Sequence, residues 1–175
     1  MVIWLVGLSG AGKSVIGRQL YKLLKQQEPA TVLVDGDEIR EVFRHDRSED
    51  DYGVDGRRKN AERIREICAW LDRQDINVVC CILSIFEESH RWNRQNLKDY
   101  FEVFVDAPMD VLEKRNPKDL YGKARRGEMK NVVGVDIEFT PPCEPDLVIL
   151  NGAEPVNADR AAERILAAAR AKFEK

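Results

Sequence analysis

The sequence predicts an α/β fold, with a mostly parallel five-stranded sheet flanked by helices in a single domain spanning residues 1–175. Three observations predict it. Short β-branched runs alternate with helical stretches along the chain, the pattern of a sheet wound through crossover helices. A glycine-rich loop joins the first apolar run to the first helix. The 175 residues suffice for one core. The 43% hydrophobic and 34% charged content is that of a soluble globular domain rather than a disordered or membrane chain.

The elements follow in order. Val2–Val6 is an apolar run read as a first strand, because it has no basic leader and passes straight into glycines, unlike a signal peptide. An amphipathic segment runs from Lys13 to about Lys25. Thr31–Val34 is a second strand ending at Asp35-Gly36-Asp37. A charged stretch, Asp46–Lys59, leads into a helix near Asn60–Arg73, with Ile64, Ile67, Cys68 and Leu71 at helical spacing. Asn77–Leu83 is apolar throughout, which predicts a strand buried on both faces. Glu87–Lys98 reads as a helix, Phe101–Val105 as a strand, and Pro108 opens a further helix. Asp146–Leu150 is the fifth strand and Ala158–Phe173 an Ala-rich terminal helix. Between them, residues 116–142 break the rhythm. They are rich in Lys, Arg and Gly with little periodicity, and a long irregular segment inside a compact domain is characteristic of a lid.

Charge and cysteines exclude several functions. A net charge of −3 gives no global basic field for nucleic acid or anionic membrane, so any anion site must be local. No run of about 18 apolar residues is present to span a bilayer. Cys68, Cys80, Cys81 and Cys143 lack the spacing of zinc ligands or of a disulfide framework. They are expected to be reduced core thiols of a cytoplasmic protein.

Gly7-Leu8-Ser9-Gly10-Ala11-Gly12-Lys13-Ser14 matches the phosphate-loop pattern G-x-x-x-x-G-K-S/T in full, between a strand and a helix as the motif requires. The glycines let backbone N–H groups turn toward phosphate oxygens, and the helix N-terminus adds its dipole. Lys13 is expected on the β- and γ-phosphates of ATP, and the Ser14 hydroxyl on Mg²⁺. Asp35 and Asp37 lie where the second strand leaves the sheet, at the carboxyl end where such sheets bind ligands. One carboxylate suits Mg²⁺ and the other suits a proton acceptor for an attacking hydroxyl, although Asp-Gly-Asp alone also reads as a turn. Arg40 lies one helical turn beyond Asp37, placed for a substrate anion. Arg57, Asn60 and Arg63 recur every three residues on one helix face, which reads equally as a solvated face.

With these residues in view, nearly the whole chain resembles the adenylylsulfate kinases, which phosphorylate the ribose 3′-hydroxyl of adenylylsulfate using MgATP. The marks are GLSGAGKS (7–14), DGDEIR (35–40), the Arg57/Asn60/Arg63 face, Leu83-Ser84, FEVFVDAP (101–108), NPKDLYGKARRGEMK (116–130), VGVD (133–136) and PDLVI (145–149). The lid segment is the most specific of them. The resemblance implies that Asp35 and Asp37 flank the metal and the attacking hydroxyl. It implies that Arg40, Arg57 and Asn60 bind the acceptor's anion, and that Ser84 holds the family's active-site serine position. By the same resemblance Lys118, Lys123 and Arg125 belong to the closing lid, with Arg115, Lys123 and Arg125 on the ATP side.

The departures from the family gather around the acceptor. Ser84-Ile85-Phe86-Glu87 replaces Ser-Pro-aromatic-Arg, Tyr52-Gly53-Val54-Asp55 replaces Leu-Gly-Phe-Ser, and Asn131-Val132-Val133-Gly134 replaces Gly-Phe-Thr-Gly. Val54 and Val132 thus stand where the family sandwiches adenine between phenylalanines, and a base–aromatic stack is worth about 1–3 kcal/mol. Tyr52 or Phe86 is the expected compensating contact if the acceptor is adenylylsulfate. Adenylylsulfate is the expected acceptor; some relatives in surface-polysaccharide clusters resemble this shorter form and act on cytidine diphosphoramidate, which is the alternative acceptor. A non-catalytic nucleotide-binding switch is the reading from another class. The implied partner is a small-molecule nucleotide, with no nucleic acid and no membrane, and a homodimer stays open.

Overall fold

The computed structural model describes residues 1–115 and 119–173. Five strands, β1 (Val2–Val6), β2 (Thr31–Asp35), β3 (Asn77–Ile82), β4 (Tyr100–Asp106) and β5 (Leu147–Leu150), form one sheet in the order β2-β3-β1-β4-β5. Every pairing is parallel. The helices are α1 (Lys13–Gln27), α2 (Gly36–Val42), α3 (Val54–Asp72), α4 (Glu87–Asn96), α5 (Met109–Arg115), α6 (Leu120–Arg125) and α7 (Ala158–Phe173), with a short 3-10 helix at Glu49–Tyr52. This is the expected fold class, and most strand and helix ends agree with the sequence reading within two residues.

β1 is the central strand because every residue of it is apolar and buried, so it tolerates a neighbour on each edge and a layer on each face. Alternation along the strands divides the core in two. Ile3, Leu5, Val79, Cys81, Val103 and Val105 face the layer of α1 and α7, meeting Ile16, Leu20, Leu24, Ile165 and Leu166. Val2, Trp4, Val6, Val78, Cys80 and Ile82 face α3 and α4, meeting Ile64, Cys68 and Phe86. Each fully buried Leu or Ile contributes about 1.5–3 kcal/mol by leaving water. Two complete layers therefore hold the sheet rigid, and its carboxyl edge becomes a fixed platform.

Three expectations need correction. The helix expected near Asn60 begins at Val54, six residues earlier. Asp55 lies in its first turn, where a carboxylate favours the helix N-terminus, so residues that read as a charged loop are helical. The segment expected to be irregular contains α6, which is too short to show periodicity. Of the four cysteines, Cys68, Cys80 and Cys81 are buried and free, whereas Cys143 is exposed and not a core thiol. Among the described residues, no helix is long and apolar enough to cross a membrane.

Candidate active site

The site gathers at the carboxyl edge of the sheet, where β1 opens into the loop Gly7–Ser14 and β2 and β3 end beside it. Gly10 and Gly12 hold φ values of +80° and +98°, a left-handed backbone that side chains resist, and α1 starts immediately afterwards. Lys13 Nζ donates to Leu8 O at 2.9 Å, so the ammonium folds back over its own loop. Burial pushes its pKa down, opposed by the charges of Cys81, Asp37 and Asp35. Both carboxylates of the Asp-Gly-Asp turn therefore lie within electrostatic reach of the Lys13 ammonium.

Asp35 ends β2 and is 5% exposed. It caps α2, its Oδ1 accepting from Asp37 N at 3.1 Å. Asp37 is in the first turn of α2 and exposed. Its charge favours the cationic forms of Lys13, Arg40 and Arg57 alike, so it lies within electrostatic reach of all three. Arg40 is buried, donates to Asp51 O at 2.8 Å, and lies 5.0 Å from the Tyr52 ring. Burial lowers its pKa. Arg57 is pushed down to about 10 by burial and then by the like charge of Arg40. An anion between the two guanidiniums would relieve both costs.

Asn60 lies on α3 and Ser84 follows β3. Both are buried, and Asn60 Oδ1 and Ser84 Oγ find no hydrogen-bond partner among the described residues. Buried polar atoms are rarely left so, and their positions suit a bound polar ligand. Arg63, on the same face of α3, lies instead over the Phe43 ring at 5.1 Å.

The residues expected around the acceptor base differ in exposure. Val54 is 47% exposed, whereas Val132 is 3% exposed and packed into the core. Phe86 is likewise buried, with the Arg58 guanidinium 4.3 Å from its ring. Tyr52 is partly open at 38%. The lid reaches this side through Asn131, whose carbonyl accepts from Arg57 at 2.9 Å and whose side chain donates to Glu49 O at 3.0 Å.

Lys123 and Arg125, expected on the nucleotide side, lie on α6, with Arg125 pairing with Glu113. Arg115 donates to Asn151 O at 3.0 Å and also to Gly152 O. Lys118 lies outside the described residues. Sequence reasoning missed two contacts to the loop. Tyr121, 1% exposed, donates its hydroxyl to Ser9 O at 2.8 Å. Asn151 donates to Ala11 O at 2.7 Å. Tyr121 lies within the segment NPKDLYGKARRGEMK, whereas Asn151 belongs to none of the motifs.

The donor chemistry fits Mg²⁺. Ser14 and Asp35 offer a hydroxyl and a carboxylate, both hard oxygen donors, and among the described residues no group of three or more His, Cys, Asp or Glu gathers to hold a metal by itself. Mg²⁺ takes few protein oxygens and completes its shell with phosphates and water.

A family model described as adenylylsulphate kinase matches residues 1–150. The cytidine diphosphoramidate kinase of Campylobacter jejuni subsp. jejuni is 41% identical over 152 residues, covering 86% of this chain and 85% of that protein. The adenylyl-sulfate kinase of Aeromonas salmonicida is 38% identical over 160 residues, covering 90% and 80%. Among solved structures, the Mycobacterium tuberculosis APS kinase CysC in complex with AMPPNP and APS superposes with a TM-score of 0.82 at 27% identity, covering 95% of both chains.

Proposed function

Because the chain belongs to the adenylylsulfate kinase family, we propose that it transfers the γ-phosphoryl group of ATP to the ribose 3′-hydroxyl of a cytidine diphosphate derivative of the cytidine diphosphoramidate type. Family membership sets aside the nucleotide-binding switch. The observation that carries the choice of acceptor is the loss of the base sandwich. Positions 54 and 132 hold valines, Val132 is packed into the core, and Phe86 is buried beneath Arg58. Neither valine can stack on a purine as a ring does, and a pyrimidine loses less when one stacking face is missing.

In this reading the loop Gly7–Ser14 cradles the phosphates of ATP, and Lys13 holds the β- and γ-phosphoryl oxygens as charge builds on them. Mg²⁺, held by Ser14 and Asp35, would neutralise phosphate charge when bound. Arg40 and Arg57 bind the acceptor's diphosphate-like anion, whose charge restores the favourable environment that burial denies them. Asn60 Oδ1 and Ser84 Oγ supply hydrogen bonds that orient the acceptor. The acceptor oxygen attacks the γ-phosphorus, the bond to the β–γ bridging oxygen breaks to release ADP, and the hydroxyl proton passes to Asp37. Lys123 and Arg125, with Lys118, offset charge on the transferring group from the lid side.

Adenylylsulfate is the second reading. It is favoured by the open ring of Tyr52, which offers one stacking surface beside Arg40. A competition assay with MgATP and both acceptors separates the two. The cytidine compound should give the higher kcat/KM, and Val54→Phe should improve use of adenylylsulfate by about tenfold, the worth of one added stack. A wild-type preference for adenylylsulfate that drops about tenfold in Tyr52→Ala would reverse the assignment.

A further inference from the structure

We infer that Asn151 is a positioning residue for nucleotide binding, setting the phosphate loop from the end of the edge strand β5. It lies just beyond β5, 5% exposed, and four contacts fix it. Its N–H donates to Asp106 O at 2.6 Å, and its carbonyl accepts from Arg115 at 3.0 Å. Its Oδ1 accepts from Val156 N at 3.0 Å, and its Nδ2 donates to Ala11 O at 2.7 Å. The amide orientation follows from the partners, since a backbone N–H requires an acceptor and a carbonyl requires a donor.

The bond to Ala11 acts through peptide geometry. A peptide unit is planar and trans, so the Ala11 carbonyl and the Gly12 N–H point in opposite directions. Holding that carbonyl outward, toward Asn151, turns the Gly12 N–H to the inner side of the loop, where phosphate oxygens would lie. Gly12 can take this orientation because its φ is +98°. A Cβ at Gly12 would lie only 2.6 Å from Asn151 Nδ2, so the amide packs flush against the glycine. Ala11 is fully buried, and its carbonyl would otherwise be left without water. Arg115, expected on ATP itself, braces Asn151 and Gly152 through their carbonyls and so supports the same contact.

This inference rests on the phosphate loop and not on the identity of the acceptor, so it is tested without one. Binding of ADP and of inorganic pyrophosphate would be measured by calorimetry for wild type and Asn151→Asp, with Tm alongside. The acid is isosteric and still accepts from Val156, but as a carboxylate it cannot donate to Ala11 O. Both affinities should fall by a similar factor of about tenfold, as expected for losing one hydrogen bond to a loop carbonyl and gaining a repulsion there. They should recover relative to wild type as pH falls and the protonated acid donates again. If Asn151→Asp does not fold, Asn151→Ala keeps both backbone contacts and carries the same comparison. A fall for ADP with none for pyrophosphate would mean that Asn151 acts on the nucleoside and would overturn the inference. A lowered Tm with both affinities unchanged would overturn it equally.

Discussion

Two arginines and one lysine carry the charge logic of the site. Lys13 belongs to the loop itself, with its ammonium on Leu8 O, and in the proposed reading a bound phosphate would replace that one oxygen partner with better ones. Lys13→Ala should lower kcat/KM by at least about a thousandfold, the scale of losing a fixed transition-state charge, while leaving Tm within a few degrees. Activity within a few-fold of wild type would remove it from the mechanism. Arg57 gives a pH prediction. Its free-state pKa is pushed down to about 10 by burial and by Arg40, so it is cationic below that pH and loses its charge above it. A bound anion favours the cation and raises the pKa, so binding takes up a proton at higher pH. Acceptor KM should therefore climb by up to about tenfold per pH unit above about pH 10, and an Arg57→Gln variant should lack that limb. A wild-type profile that parallels the variant would exclude Arg57 from the anion site. The residues of the loop and of the Asp-Gly-Asp turn were legible because each motif is contiguous. Asn151 was not, since its partner Ala11 is 140 positions away and neither residue type is distinctive.

At the scale of elements, α6 is where sequence and structure differ most. The sequence crowds Lys118, Lys123, Arg125 and Arg126 into one segment, where like charges repel. The structure pairs Arg125 with Glu113, and Arg126 with Asp119 and Glu128. Glu113 reaches Arg125 from α5, while Asp119 and Glu128 flank α6 on either side, so the pairs form only once the chain has folded. Tyr121 then fixes the root of α6 to the phosphate loop through Ser9 O, across 112 positions. Tyr121→Phe keeps the buried ring and removes only the hydroxyl. It should speed amide exchange across residues 119–130 and weaken ADP by about fivefold, near 1 kcal/mol for one lost hydrogen bond. Unchanged exchange with unchanged affinity would show that α6 and the loop are independent. The position of α3 was half legible: its apolar stripe was visible, but its first turn was hidden in charged residues that the helix N-terminus favours.

Across the whole molecule, the two-faced core follows from alternation that any strand shows, so the fold class was readable from the start. What the pattern did not reveal is the ionic tie between layers. Asp146 leads into β5, and its Oδ2 accepts from Glu102 N on β4 at 2.8 Å and pairs with Arg94 of α4 at 3.2 Å. Its Oδ1 pairs with Lys172 of α7 at 2.7 Å. Arg94 also holds Glu102 at 3.0 Å, and the Glu102 carboxylate, 2% exposed, accepts from Tyr100 at 2.9 Å and contacts His90. Helices on opposite faces of the sheet are thus joined through one carboxylate. Burial pushes the Asp146 pKa up, but the Glu102 amide, Lys172 and Arg94 outweigh it and hold the group below the ordinary value of 3.8. A carboxyl lowered on folding stabilises the fold above its unfolded pKa and loses that contribution as pH falls through the folded value. Urea unfolding should therefore show stability draining below about pH 4. Asp146→Asn keeps an acceptor for the Glu102 amide but surrenders the charge, so it should cost about 2–3 kcal/mol at pH 7 and less as the pH falls toward 2. The two proteins should converge in acid, because protonation has then done to the wild type what the substitution did at neutral pH. A gap between them that stays constant from pH 7 to pH 2 would mean that the Asp146 carboxylate is not the charge that ties α4 and α7 across the sheet.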